Sequence, residues 1–262
     1  MLRVGRGDGG ALDWPGTVNA LRSGLTWLAL PAIALLASVP PVAAGDATRV
    51  APPPGSGTTV YTVAAIGDSL TDTRVGGGRY MSLLHERCPQ SRFDAYGVGG
   101  QRTDHMRWRL ARDLFGQSPW PQPPRPAYTH VLILGGVNDL VASSRGYADT
   151  SSIRKNLSIM WREVRSRGAT VVALTVPPWT NRGAALDVRI GATDRLNGWM
   201  FEQQRQGNVD QVVDIHARLL DVDGISLDPR YRRYPSDLIH WNEQGHRVVA
   251  DALFREVFSD CR

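Results

Sequence analysis

The chain has 262 residues, 42% apolar and 21% charged, which suits one sizeable globular core and excludes a disordered or low-complexity polymer. Its formal net charge is +5, and Lys155 is the sole lysine among 30 basic residues. The arginines are scattered and form no basic stripe, so no nucleic-acid partner is expected, although an anionic envelope surface could attract the chain weakly.

In chain order, residues 1–44 read as an export signal. Arg3, Arg6 and Arg22 precede an apolar run from Leu25 to Val39, and Val42-Ala43-Ala44 supplies small residues where a signal peptidase cuts. The apolar run is shorter than the roughly 20 residues of a membrane span, and Pro31 interrupts it. An uncleaved anchor helix is the alternative reading. Residues 45–59, rich in Gly, Pro, Ser and Thr, form a flexible lead-in to a single domain over 60–262. The expected localisation is secreted, or periplasmic and envelope-bound. Export would permit a bridge between Cys88 and Cys261, the chain's two cysteines.

Short apolar runs then alternate with helix-like segments, the pattern of a parallel sheet with crossover helices. Strands are expected at 60–66, 92–98, 129–134, 170–176 and 209–215. Helices are expected at 79–87, 103–114, 151–167, 192–206 and 242–258, the last capped by Asn242. Two stretches read as irregular: Gly116–Arg125, with four prolines, and Val176–Ile190.

The chemistry lies where strands end. Ser69 follows the first strand in Gly67-Asp68-Ser69-Leu70, and Gly100 follows the second. Asn138 follows the third in Gly136-Val137-Asn138-Asp139, and Asp237 and His240 precede the last helix. In a doubly wound sheet these places share the carboxyl edge, where one crevice gathers them. Serine is a poor nucleophile alone, and needs a base, a group to orient the base, and donors for the developing oxyanion. Candidates for each are present. Asp68 reads as a loop-organising acceptor. The chain shows no metal-ligand spacing, no nucleotide fingerprint and no Gly-x-Ser-x-Gly elbow, so no metal or cofactor is expected.

These blocks resemble the SGNH hydrolases, also called the GDSL esterase/lipase family. The likeness spans residues 60–258 and includes Gly97-Val98-Gly99-Gly100-Gln101-Arg102-Thr103 as the second block. Departures are Ala95, where the family often has Asn, and Leu238 and Trp241 flanking the histidine, where Gly and Pro are usual. The resemblance implies a flavodoxin-like α/β/α sandwich with a five-stranded parallel sheet, and ester hydrolysis by a Ser69, His240, Asp237 triad. Ser69, Gly100 and Asn138 would form the oxyanion hole. In such a sandwich the first and last helices share a face, which brings Cys88 and Cys261 together. Trp179 and Trp241 are candidate walls of the substrate crevice. The expected substrate is a small-molecule, lipid or glycan ester, and the expected state is a monomer. An acyltransferase acting on envelope polysaccharide and a non-catalytic glycan-binding module are the rival readings.

Overall fold

The computed structural model describes residues 58–143, 150–180 and 186–262. The export signal and nearly all of the lead-in lie outside the described residues.

Five strands form one parallel sheet: β1 (Thr62–Gly67), β2 (Arg92–Gly97), β3 (His130–Leu134), β4 (Thr170–Leu174) and β5 (Gln211–Val213). Their spatial order is β2-β1-β3-β4-β5. The middle three are near-continuous Val, Ile, Leu and Ala, and Val63–Ile66, Val131–Leu134 and Val171–Leu174 are all at most 1% exposed. Such runs mark strands covered on both faces. Register pairs Val63 with both Phe93 and His130, and His130 with Thr170.

The crossovers are α1 (Arg79–Arg87), α2 (Thr103–Phe115), α3 (Val137–Ala142), α4 (Ser151–Ser166) and α5 (Leu186–Arg205). After β5 follow α6 (Ile215–Leu219) and α7 (Glu243–Glu256). Right-handed crossovers put α1 on one face and α2, α4 and α5 on the other. Accordingly α1 packs against α7, and α2 against α4. The result is a three-layer α/β/α sandwich.

β2, β4 and β5 end one to two residues earlier than the apolar runs that announced them, β3 ends where expected, and β1 ends one residue later. Two short helices, α3 and α6, were not expected. The larger correction is α5, which begins at Leu186 inside the stretch read as irregular. Its buried face includes Thr193 and Asn197 beside Ala192, Leu196 and Met200, so its apolar period is broken by polar residues. Asn197 has a task there: its amide bonds both the N–H (2.8 Å) and the carbonyl (3.0 Å) of Val176, satisfying backbone that has just left β4. The proline-rich 116–125 segment carries no helix or strand, and Trp120 within it is exposed.

The sheet edge away from the strands' carboxyl ends is fastened covalently. Cys88, which caps α1, and Cys261 form a disulfide with a Cα separation of 5.5 Å. Beside it Thr59 pairs with Cys261, and the Ser91 hydroxyl donates to the Arg262 carbonyl at 3.0 Å.

Candidate active site

The strand order reverses between β1 and β3, and in open α/β sheets ligands bind in the crevice outside the strand ends at that switch. Ser69 leaves β1 there, Asn138 opens α3 just past β3, and Gly100 follows β2.

Local hydrogen bonds shape the serine turn. The fully buried Asp68 accepts from Leu70 N–H at 3.0 Å with Oδ1, while its carbonyl accepts from the Thr71 and Asp72 N–H groups. Gly77 presses on this turn: a Cβ there would lie 2.1 Å from the Ser69 carbonyl oxygen, so only glycine permits the approach. Ser69 itself is half-buried.

His240 reaches the serine from the far end of the chain. Its Nε2 is 2.9 Å from Ser69 Oγ, and its Nδ1 is 3.0 and 3.2 Å from the two Asp237 oxygens. Asp237 Oδ1 also accepts from the N–H groups of His240 (2.9 Å) and Ile239 (3.2 Å). Burial by itself would raise this carboxyl, but those backbone donors and the imidazole outweigh it and hold Asp237 below the ordinary carboxylate range. The loop is pinned at both ends. Arg233 N–H donates to the His240 carbonyl at 3.0 Å, and Asn242 caps α7 by accepting from Gly245 N–H at 3.0 Å.

Asn138 links the remaining loops. Its Nδ2 donates to the Gln101 carbonyl at 3.0 Å and to Asp68 Oδ2 at 3.2 Å. Asp68 is the most perturbed carboxyl of the site: burial pushes it up to about 7, the Asp139 charge adds to the rise, and Leu70 N–H and Arg109 oppose it. Gly100 is exposed at φ 74°, and the space where a Cβ would sit is open. Its left-handed backbone conformation accounts for glycine here.

Three supporting residues escaped the sequence reading. Asp72 accepts from Gly99 N–H at 2.9 Å and so ties the second loop to the first; its hydrogen bonds with Arg74 hold it at about 2 against the effect of burial. Asp139 accepts from both the N–H (3.0 Å) and the hydroxyl (2.7 Å) of Thr103, joining the third loop to the start of α2. Arg109, 2% exposed, spans Gln101 Oε1 at 2.6 Å and the Gly67 carbonyl at 2.7 Å. An Asp within three residues after a candidate residue, Asp72 after Ser69 and Asp139 after Asn138, was the signal for the first two. Arg109 had none, since its bond to the Gly67 carbonyl crosses 42 residues.

Of the two candidate tryptophans, Trp179 does not line a crevice. Trp179 is 1% exposed and its Nε1 donates to Thr193 Oγ1 at 3.1 Å, which makes it a core residue. Trp241 is 2% exposed and borders a void of about 10 Å³ beside Ser69 and His240 and a cavity of about 430 Å³ that opens to solvent. Among the described residues no group of three His, Cys, Asp or Glu side chains gathers at metal-binding distance.

A serine hydroxyl, an imidazole and an anionic carboxylate in this line can generate an alkoxide-like nucleophile, with N–H donors nearby for an oxyanion. The comparisons agree with such chemistry. A GDSL-like lipase from Bacteroides thetaiotaomicron superposes with a TM-score of 0.59 at 16% identity, covering 74% of this chain and 86% of that one. An acetyl xylan esterase matches with a TM-score of 0.57 at 20% identity over 75% of this chain and 99% of its own. A variant of an acetyl xylan esterase from Geobacillus stearothermophilus gives 0.58 at 19%, over 78% and 95%. At these identities the likeness establishes the shared fold. No curated protein matches the chain. The family model for GDSL-like lipases and acylhydrolases matches residues 65–248, most of the chain and every loop just described. With that match the chain belongs to the GDSL-like lipase/acylhydrolase family and is an ester-hydrolysing serine hydrolase.

Proposed function

We propose that the protein is an exported esterase that cleaves short acyl esters, foremost on carbohydrate, through an acyl-enzyme on Ser69. The observation that carries this reading is the unbroken line from Ser69 Oγ through His240 to Asp237, with spacings of 2.9 and 3.0 Å. Ser69 Oγ attacks the ester carbonyl carbon as His240 Nε2 takes its proton. Asp237 holds the Nδ1–H tautomer and stabilises the imidazolium. The backbone N–H groups of Ser69 and Gly100 and the amide of Asn138 receive the oxyanion, one such donor being worth about 3–4 kcal/mol in the transition state. His240 then protonates the leaving alcohol oxygen. A water repeats the sequence on the acyl-enzyme, releasing the acid and restoring Ser69.

Asn138 donates its amide N–H groups to Gln101 and Asp68. The 3.2 Å bond to Asp68 is the longer of the two and is the one that yields to the oxyanion. A carbohydrate ester is favoured by the acetyl xylan esterase neighbours and by hydroxyl and charged side chains beside the triad. Export is supported by the residue pattern of 1–44 and by the Cys88–Cys261 bridge, which belongs to an oxidising compartment.

Hydrolysis of 4-nitrophenyl esters from acetate to palmitate tests this reading, with Ser69→Ala as control. Turnover should fall with chain length and vanish in the variant. Equal rates for wild type and variant on every ester would refute the triad assignment.

A further inference from the structure

The arginines are scattered along the chain, but the fold gathers them on one face of the sheet. Helices α2 and α4, with their caps Arg102 and Arg167, carry nine Arg and Lys cations and three carboxylates. On the opposite face α1 and α7 carry four of each. Arg102, Arg112 and Arg167 are held by Asp104, Asp113 and Glu163. Among the described residues Arg107, Lys155 and Arg162 make no ion pair, and all three are exposed.

Trp108 forms the crest of this face. At about 100° per residue it points away from Met106, Leu110 and Leu114, the side that α2 buries, and it is 81% exposed. The Arg112 guanidinium lies 5.7 Å from its ring centroid, and Arg107 flanks it on the side toward α4. On α4, Lys155 and Arg162 are spaced seven residues apart and share the outward line opposite the buried Leu157 and Met160. Trp120, 75% exposed between Pro119 and Pro121, follows five residues after α2 ends at Phe115. The other described tryptophans are buried or half-buried.

Between the two helices runs a groove of about 320 Å³. Leu110, Ala111, Ile159 and Met160 give it apolar lining, and the exposed Arg107 and Gln117 border it. Charge alone would suit any polyanion, and an exposed indole adds nothing to such a contact. Indole and guanidinium side by side match the boundary between lipid headgroups and acyl chains. There the ring enters the interface while the cations meet the phosphates.

We infer that the outer face of α2 and α4 docks the protein on an anionic phospholipid membrane, with Trp108 among the headgroups and Arg107, Lys155 and Arg162 facing the phosphates. Because α2 opens three residues after Gly100, docking on this face keeps the active-site crevice beside the membrane. The inference goes beyond the esterase reading and does not rest on it.

Vesicle sedimentation of the full chain tests it, with phosphatidylcholine vesicles that contain or lack phosphatidylglycerol. Wild type should bind the anionic vesicles at least about tenfold more tightly than the neutral ones, and release them at high salt. One cation near such a surface strengthens binding about fivefold, so Arg107→Gln, Lys155→Gln and Arg162→Gln combined should weaken it about a hundredfold. Trp108→Ser alone should weaken it about tenfold and diminish the blue shift of tryptophan fluorescence that vesicles induce. All variants carry the same N-terminal segment, so their differences from wild type report this face alone. Melting temperature and kcat/KM on 4-nitrophenyl acetate should stay at wild-type values, which verifies the fold. Unchanged vesicle binding in the triple variant or in Trp108→Ser overturns the docking face. Equally tight binding to soluble dextran sulfate, undiminished by Trp108→Ser, overturns it in favour of a polyanion. A dimer in light scattering that these substitutions dissolve, without vesicle binding, overturns it in favour of a second copy of the chain.

Discussion

Arg233 grips the oxygen of Asp237 that the backbone leaves free. Its Nε lies 3.0 Å from Oδ2, while the neighbouring N–H groups converge on Oδ1, and its Nη1 reaches the Val75 carbonyl at 3.3 Å. One side chain thus joins the acid of the triad to the loop that follows the nucleophile. Removing it should let Asp237 turn and misalign His240. Hydrogen bonds to charged groups are worth about 1.5–3 kcal/mol, which corresponds to a fall in kcat of roughly ten- to a hundredfold for Arg233→Gln. KM on 4-nitrophenyl acetate should change little. Arg233→Lys keeps the charge but lacks the fork, and should recover only part of the rate. Steady-state kinetics of both variants decide the matter, and wild-type kcat in Arg233→Gln would remove Arg233 from the positioning of Asp237.

Ser69→Ala and His240→Ala should each lower kcat by several orders of magnitude, and the double variant by little more, because triad members act as a unit. Both residues sit in loops at the sheet edge, so melting temperatures should stay near wild type. Losses that multiply in the double variant would show the two acting independently.

Asn138→Ala should cost about 10²–10³ in kcat if its amide serves the oxyanion. The same change removes the donor to Asp68 and Gln101 and should also lower stability modestly. Comparing kcat with KM, and both with the denaturation midpoint, separates the roles. A stability loss with kcat intact would make Asn138 a loop tie alone.

His246 gives the fold an acid-sensitive element. Burial lowers its pKa to about 4, below the ordinary value near 6.5 for the unfolded chain. A depressed histidine contributes stability that is complete above about pH 6.5 and is lost as pH falls toward 4. The linked loss across that window is about 3 kcal/mol. The ring stacks on Tyr80 with centroids 6.2 Å apart and meets Trp241 edge-on at 5.3 Å, contacts that phenylalanine can reproduce. Denaturant unfolding at pH 7 and pH 4.5 should show His246→Phe losing less stability than wild type. Parallel losses would place the acid sensitivity elsewhere.

The Cys88–Cys261 bridge closes a loop of 173 residues. In the chain-entropy model such a link stabilises by about 5 kcal/mol, a figure native strain reduces. Cys88→Ser with Cys261→Ser should lower the denaturation midpoint and leave kcat close to wild type, since the bridge lies at the sheet edge away from Ser69. Non-reducing peptide mapping should recover the linked peptides; two alkylatable thiols would show that no bridge forms.

The sequence by itself determined the sheet and the identity of the reacting groups. β1, β3 and β4 are legible because strands buried on both faces need unbroken apolar runs, and Ser69, Asn138 and His240 because each stands just where such a run or a helix cap breaks off. Helices α3 and α6, at six and five residues, are too short to show a period. The start of α5 was missed because Gly191, which weakens a helical pattern, stands between Leu186 and the helix expected from residue 192. Tertiary structure alone decided that Trp179 belongs to the core, that Arg233 and Arg109 brace the site, and that Trp241 and His246 share a void. Each of these depends on side-chain packing that residue type and spacing do not announce. Local periodicity reports which face a residue buries, whereas packing chooses the partner it meets there.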